Sequence, residues 1–537
     1  MQKHMINKVI IKNYKIFRNF SLELSPGLNI LVGDNESGKS TILEAINLCL
    51  SRKLSGRPVD LELTSYLFNN IAVNEYITAI KSKSSPLLPE ITIEVFLDDS
   101  CGLNEYRGTN NSLREDSIGI RLQICFNADF QDEYEKLIST DPDQIQLIPT
   151  EFFKVIWQSF SGNAISPRGA KIICSFIDAG SIHLQNGTDY YLQNIIKSGL
   201  SSKERAELSI AYRKLKEEFA RTGSIQNINK QLDTDKSAIT SKNLEISLDV
   251  SQKTNWEANL IPHLDKLPFH YSGKGEQSSL KIMLALQRKA EDSQVILIEE
   301  PENNQSFSSM NILIDKITEK CDGKQIIVTT HSAYVLNKLG LKNLILLSKN
   351  QTTATLSNLP LDTQQYFKIL SGYDTLRIIL AKRTILVEGP SDELIVQKAY
   401  FQKHNKLPIQ NGVDIINVRG LSFTRFLDIA KELDLEISVV TDNDGNYEHK
   451  VKNKYSTYES EKIKIFASPD NSKNTLEPQM ISSIGLKLLN TIFSTTYDET
   501  EMNKYMTDCK TECALKIFEN SNALTFPEYI NDAVNKE

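Results

Sequence analysis

Apolar and polar positions alternate in short blocks over the first 32 residues. Positions 9–11, 20–24 and 28–32 carry runs rich in β-branched and aromatic residues, separated by polar turns, and each run predicts a strand. The third feeds into Gly33, and from Lys39 onward the apolar positions recur on a helical period. Residues 91–97 and 118–126 again read as strands, with 172–177 a further candidate. Residues 201–221 alternate charge on a helical period, starting from serines suited to an N-cap and ending at Gly223. Residues 294–298 and 326–330 are continuous apolar runs, the pattern of strands buried on both faces of a parallel sheet. From Lys382 the pattern restarts as strand 384–388, helix 392–402, strand 413–418, helix 423–433 and strand 436–441. Strands alternating with helices predict a small parallel sheet covered on both faces. The expectation is an α/β protein of two domains, at 1–370 and 380–537. A compact helical insertion at about 190–260 in the first serves either as a dimer contact or as a solvated helix.

Composition narrows this only slightly. The chain has 537 residues, enough for several cores, and its 40% hydrophobic and 24% charged residues are ordinary for a globular protein. No apolar run approaches the roughly 20 residues that span a bilayer, and the N-terminus lacks the apolar core of a signal peptide. Seven scattered cysteines without a Cys-x-x-Cys pair suit a reducing cytoplasm and argue against structural zinc. The net charge of −7 means that any nucleic acid must meet a locally basic surface.

Candidate chemistry changes the picture more. Residues 33–40 read Gly-Asp-Asn-Glu-Ser-Gly-Lys-Ser between a predicted strand and a predicted helix, the context that a phosphate-binding loop requires. Its glycines let backbone N–H groups wrap phosphates, Lys39 reaches the β/γ oxygens and the Ser40 hydroxyl ligates magnesium. Gly33, Asn35, Gly38, Lys39, Ser40 and Thr41 are the expected ATP contacts; the plain alternative is a glycine-rich turn with a solvent-facing lysine. The strand at 294–298 ends in Glu299-Glu300-Pro301, where Glu299 is assigned to the metal and Glu300 to the attacking water.

Two further segments resemble ABC-type ATPases of the RecF and SMC branch. Residues 271–278, Tyr-Ser-Gly-Lys-Gly-Glu-Gln-Ser, resemble the signature loop, and His331 at the end of an apolar run resembles the switch histidine. The resemblance implies a dimer in which Ser272 and Gly275 reach ATP held by the other subunit and His331 meets its γ-phosphate. Lys274 is an additional residue relative to the usual Ser-Gly-Gly-Glu.

In the second half, carboxylates sit where predicted strands end: Glu388 after the first and Asp442-Asn443-Asp444 after the third. Ligands in open α/β sheets bind beyond the carboxyl ends of the strands, so these acids should converge. Clustered carboxylates repel unless a cation lies between them, which points to Mg²⁺ or Mn²⁺. The run Leu-Val-Glu-Gly-Pro-Ser-Asp-Glu at 386–393 with the later Asp-x-Asp resembles a Toprim site, and its place after an ABC-type ATPase resembles the OLD family of nucleases. That family includes the nuclease subunit of Gabija anti-phage systems and retron-associated effectors. By this resemblance Glu388, Asp392, Asp442, Asp444 and Glu477 bind metal. Lys510, or alternatively Lys516, stands near the scissile phosphate. Lysines at 450, 452, 454, 462 and 464 form either a solvated loop or a track for a DNA backbone.

Together these expectations describe an N-terminal ABC-type ATPase with a C-terminal Toprim parallel-sheet domain: an oligomeric, ATP-gated DNA endonuclease in antiviral defence. Two alternatives remain open at this stage. One is a DNA-repair ATPase of the RecF or SMC kind with an inert Toprim half. The other is an ATP-binding scaffold for a partner helicase or a reverse transcriptase with its DNA.

Overall fold

The computed structural model describes residues 6–82, 88–140, 145–166, 169, 171–178, 184–185, 188–189, 200–235, 246, 256, 260–287, 294–319, 323–420 and 422–536. The chain divides into two compact units, one of residues 1–29 and 40–329, the other of residues 30–39 and 330–537.

The first unit opens with an antiparallel sheet. Ile6–Tyr14 turns tightly into Phe17–Glu23 and pairs on its other edge with Ile91–Leu97, which pairs with Ser117–Phe126. Arg107–Gly108 and Phe153–Ser159 pair with this last strand. All seven residues of Ile91–Leu97 are buried, including Glu94, whose carboxylate accepts the Ser112 N–H at 2.9 and 3.0 Å and lies 3.6 Å from Arg121. A buried charge persists only with such partners. The helix Lys39–Ser51 buries Ile42, Leu43, Ile46 and Cys49, and the Trp157 indole N–H donates to the Cys49 carbonyl at 2.7 Å.

Three parallel strands follow: Cys174–Asp178, Val295–Glu299 and Gln325–Thr329, registered so that Asp178, Glu299 and Thr329 lie side by side. The apolar runs predicted at 294–298 and 326–330 are thus strands buried over nearly their whole length. The helix expected after Ser201 runs over Ser202–Ala220, with Ser201 and Glu204 forming a reciprocal capping box, and a second helix spans Gly223–Asp235. Much of the remainder of the expected 190–260 insertion lies outside the described residues.

In the second unit, Leu344–Leu347 pairs in parallel with the strand Leu28–Gly33 and antiparallel with Thr353–Thr355. The C-terminal sheet has four parallel strands in the order Val413–Asn417, Arg383–Val387, Ile437–Val440, Ile463–Phe466. The fourth was not expected, and it corrects the reading of the lysine run. Lys464 belongs to this strand and Lys462 pairs with Asp434, while Lys450 and Lys452 ride a helical turn over Glu448–Asn453. Ile463 is buried and Ile465, on the same face, is half-buried, a signal masked by the flanking lysines. Helices Pro390–His404 and Leu476–Ile484, with those that follow to Asn535, share one core with the sheet. The buried Arg383 guanidinium donates to the carbonyls of Ala533 and Lys536, fixing the last helix.

A connecting segment, residues 356–380, is stapled at both ends. Asn337, fully buried on the helix Ala333–Leu339, donates to the carbonyls of Ser371 (3.2 Å) and Tyr373 (2.9 Å) and accepts from Thr375 (2.7 Å). On the other side Thr363 donates to Asp428 at 2.5 Å, and Arg425 pairs with Asp362. Phe367 packs edge-on against Phe426 of the helix Phe423–Glu432.

Candidate functional site

The glycine-rich loop takes the shape its residues dictate. A Cβ on Gly33 would lie 2.6 Å from the Leu347 carbonyl and from the Ser37 hydroxyl, so no larger residue fits. Gly38 has φ of 95°, which favours glycine, and Glu36 also adopts a left-handed conformation. Lys39 is nearly buried and folds over the loop, donating to the carbonyls of Gly33 and Asp34 at 2.9 Å each. The Ser37 hydroxyl is buried without a hydrogen-bond partner. A loop with an orphaned hydroxyl and an inward-turned ammonium fits a phosphate group. Sequence reasoning passed over Ser37, although its place just before Gly38 was in view.

The Glu299 carboxylate accepts a hydrogen bond from Ser40. Burial raises the Glu299 pKa even though Ser40 hydrogen-bonds to it, and Asp178, Glu300 and Glu44 push the same way. Asp178 was not foreseen; it ends a strand that sequence placed slightly too early. Glu300 has φ of 45°, its N–H bonds the Thr329 carbonyl at 3.0 Å, and its carboxylate accepts from Asn303 at 2.7 Å. A non-glycine residue held in that conformation beside the acids is the kind of strain that collects at functional sites.

The signature-like segment departs from expectation. Lys274 begins the helix Lys274–Gln287, so Gly275 lies in its first turn and not in a loop. A Cβ there would sit 2.1 Å from the Asn304 carbonyl, and Gln305 donates to the Gly275 carbonyl at 2.8 Å. Packing inside the chain therefore already demands this glycine. Ser272 is half-buried, with its carbonyl accepting from Gln277 at 2.7 Å. His331 is exposed, just after Gln325–Thr329 and just before the helix capped by Ser332. Thr41 lies in the first turn of the helix after the loop and Asn35 within the loop itself.

The second cluster is assembled from four separate segments. In the C-terminal sheet the chain runs in opposite directions outward from Arg383–Val387 and Ile437–Val440, the kind of switch point beside which open α/β sheets bind ligands. Glu388 stands at that point and accepts from the Thr441 hydroxyl (2.7 Å) and the Asp442 N–H (3.1 Å). Asp392, in the first turn of Pro390–His404, accepts the Gly389 N–H at 3.1 Å. Glu477, 4% exposed, accepts the Lys510 ammonium at 2.9 Å.

Burial, then the neighbouring Glu388, pushes Asp392 up to about 7, with a smaller push from Glu477. Burial followed by Glu388, Asp392 and Glu477 pushes Asp442 up to about 8. Burial works against the Lys510 charge, yet Glu477, Asp442 and Asp392 hold its pKa above the ordinary value. Lys516, the competing lysine, faces Glu512 at 3.2 Å and Tyr505 instead. Asp444 is set apart: it is exposed, has φ of 49° and lies 3.9 Å from Lys450. Between the two aspartates, fully buried Asn443 donates to the carbonyls of Ser468 and Asp470, which explains an amide at that position. Tyr529, absent from the sequence-based site, is buried close enough for the four acids to raise its pKa beyond the effect of burial.

Among the described residues no three acidic, histidine or cysteine side chains close into a ready-made cage for one ion. The all-oxygen donor set nonetheless fits magnesium or manganese. Such ions keep several waters and substrate phosphates, and need only one or two carboxylates each.

Known proteins match both halves. The model of the family described as "AAA ATPase domain" matches residues 5–161 and 131–336, and that of "Overcoming lysogenization defect protein-like, TOPRIM domain" matches residues 379–444. Endonuclease GajA of Bacillus cereus (strain VD045) is 22% identical over 467 residues, covering 82% of this chain and 75% of GajA. The DNA replication and repair protein RecF of Lachnoclostridium phytofermentans is 41% identical over 59 residues, 11% of this chain and 16% of RecF. A solved C-terminal region of the Xanthomonas campestris pv. campestris OLD protein aligns with 29% of this chain and 94% of its own, at 18% identity and a TM-score of 0.24.

Proposed function

Because the chain belongs to the AAA ATPase domain family and joins that domain to an OLD-like Toprim domain, we propose that it is a metal-dependent DNA endonuclease controlled by nucleotide. One observation carries the reading: Glu388, Asp392, Asp442 and Glu477 face one another at the switch point of a parallel sheet, with Lys510 held against Glu477. When bound, magnesium or manganese would supply the positive charge that activates water and steadies the leaving oxygen of a phosphodiester. Glu388, Asp392, Asp442 and Glu477 hold the ions, and Asp444 adds a carboxylate from the exposed edge. Lys510 offsets charge that gathers on the phosphate oxygens.

In the ATPase domain, Gly33, Asn35, Ser37, Gly38, Lys39 and Thr41 cradle the ATP phosphates. Ser40 and Glu299 hold the magnesium, and Glu300 orients water. Ser272 and Gly275 reach nucleotide across a homo-oligomer, and His331 contacts the γ-phosphate; the tight fit of Gly275 against Asn304 makes it the weakest member of that set. We take 1–370 as the ATPase domain and 380–537 as the Toprim domain, and a cytoplasmic, anti-phage role as the setting. A helicase, or a reverse transcriptase with its DNA, is the class of partner that would license cutting.

The test is cleavage of supercoiled plasmid by the purified chain with magnesium or manganese, with and without ATP, beside an Asp442→Ala/Asp444→Ala variant. Metal-dependent cutting that vanishes in the variant is the expected result. Cutting that survives in the variant removes these acids from the mechanism.

A further inference from the structure

Residues 330–537 contain four arginines, and three of them have acidic neighbours. Arg377 pairs with Asp414 and Asp374, Arg383 lies 3.9 Å from Glu436, and Arg425 pairs with Asp362. Arg419 is different. It is exposed, and among the described residues no carboxylate pairs with it. Its guanidinium instead lies over the ring of Tyr373, 5.3 Å from the centroid.

Its place in the fold is specific. Arg419 follows the strand Val413–Asn417, at the carboxyl end of the sheet where the acids gather. The loop is fastened to the first acid's own backbone: the Val418 N–H bonds the Val387 carbonyl and the Gly420 N–H bonds the Glu388 carbonyl, each at 2.8 Å. Arg419 and Gly420 have φ of 54° and 71°. Glycine adopts that conformation freely, whereas an arginine there is held against its preference. A surface arginine needs no such backbone to reach solvent. The strained turn and the aromatic seat together hold an uncompensated, bidentate cation on the loop whose backbone is fastened to Glu388, and bidentate cations of this kind recognise phosphate oxygens.

We propose that Arg419 grips a backbone phosphate of the DNA strand adjoining the one to be cut, and that Tyr373 is the positioning residue that presents it. The proposal rests on the nuclease reading above. In a chain of net charge −7, such a contact supplies part of the local attraction that bulk charge does not. Tyr373 in turn hangs by its carbonyl from Asn337, so the seat of Arg419 is built on the segment that follows His331.

The experiment measures cleavage kinetics with magnesium and, with calcium in place of magnesium, the affinity for a labelled short DNA duplex across a salt series. Arg419→Ala is expected to raise KM and Kd about ten-fold, to lower the slope of log Kd against log salt by about 1, and to leave kcat within about two-fold. Arg419→Lys should recover much of the affinity and the full salt slope. Tyr373→Leu should raise KM by a smaller factor with the slope intact, because the cation remains. An Arg419→Ala protein with unchanged Kd and slope, made beside a wild type that cuts, overturns the proposal and leaves the nuclease reading standing. Because Arg419 is exposed, Arg419→Glu serves as a second variant, and binding of DNA by that variant at wild-type affinity also overturns it. Cutting that survives in Asp442→Ala/Asp444→Ala removes these acids from the mechanism, and with them the site on which this proposal rests.

Discussion

The two proposed sites both gather charge around a phosphate, but the chain builds them in opposite ways. The nucleotide loop is a contiguous run, 33–41, whose own carbonyls hold Lys39 and whose glycines allow its turn. The Toprim cluster draws on positions 388, 392, 442, 477 and 510, brought together by a parallel sheet and by helices more than 80 residues away along the chain. A contiguous site depends on local backbone geometry. A dispersed site depends on register and on the C-terminal helices that carry Glu477 and Lys510. The dispersed site also carries more strain from charge, since Asp392 and Asp442 are pushed to about 7 and about 8, whereas Glu299 keeps the Ser40 hydrogen bond.

Asp442→Ala should separate the sites most sharply. Plasmid cutting is expected to fall by about 10³-fold or more, the scale on which loss of a group acting directly on charge in a transition state is felt. Affinity for a fluorescent ATP analogue should be unchanged; a parallel loss would mean that the sites are not independent. Chelation of divalent ions by EDTA should abolish cutting to the same degree.

Lys39→Ala inverts the pattern. Nucleotide affinity, measured by the same fluorescence, is expected to fall about 100-fold, close to the roughly 3 kcal/mol of a lost charge-assisted hydrogen bond. Cutting by the nucleotide-free protein should persist.

Asn337→Leu attacks the buried anchor of the 356–380 segment. It leaves the carbonyls of Ser371 and Tyr373 and the Thr375 hydroxyl without their amide partner in a buried setting. Urea unfolding should report a loss of about 3 kcal/mol. Any influence of ATP on cutting should shrink in the folded variant, and an intact influence would move the coupling elsewhere.

The smallest effect is on pH dependence. Asp392 and Asp442 have raised pKa values in the folded chain, so between about pH 4 and pH 8 the native state binds more protons than the unfolded one. Stability of the metal-free protein therefore falls as pH rises through that window. The expected Tm of the EDTA-treated chain is a few degrees higher at pH 6 than at pH 8, about the shift that 1 kcal/mol produces. Asp442→Asn should flatten this profile, and an unchanged profile would locate the strain outside the cluster.

The same contrast explains what could be read in advance. The phosphate loop was legible because strand, glycines, lysine and helix are neighbours in sequence. Glu388, Asp392 and Asp442 were legible because each ends a strand or opens a helix in a strand–helix alternation. Asp178 was missed because its strand is short and begins two residues later than its apolar pattern suggested. The strand Ile463–Phe466 was missed because its lysines hid a four-residue run. Gly275 was read as part of a nucleotide loop, and only the helix and the Asn304 carbonyl reveal its packing role. Arg419 has no sequence signature at all: its interest lies in being the arginine of its unit that, among the described residues, is left without an acid.

By itself, then, the sequence determined the class of the protein and singled out the candidate nucleotide loop and candidate acids, because local backbone preference and hydrophobic period act over a few residues. Tertiary structure decided which lysine meets Glu477, how far Asp442 is driven from its ordinary pKa, that Asp444 stands outside the innermost group, and where Arg419 points. Those outcomes depend on burial and on distances between residues far apart in the chain, and such quantities exist only once the chain has packed.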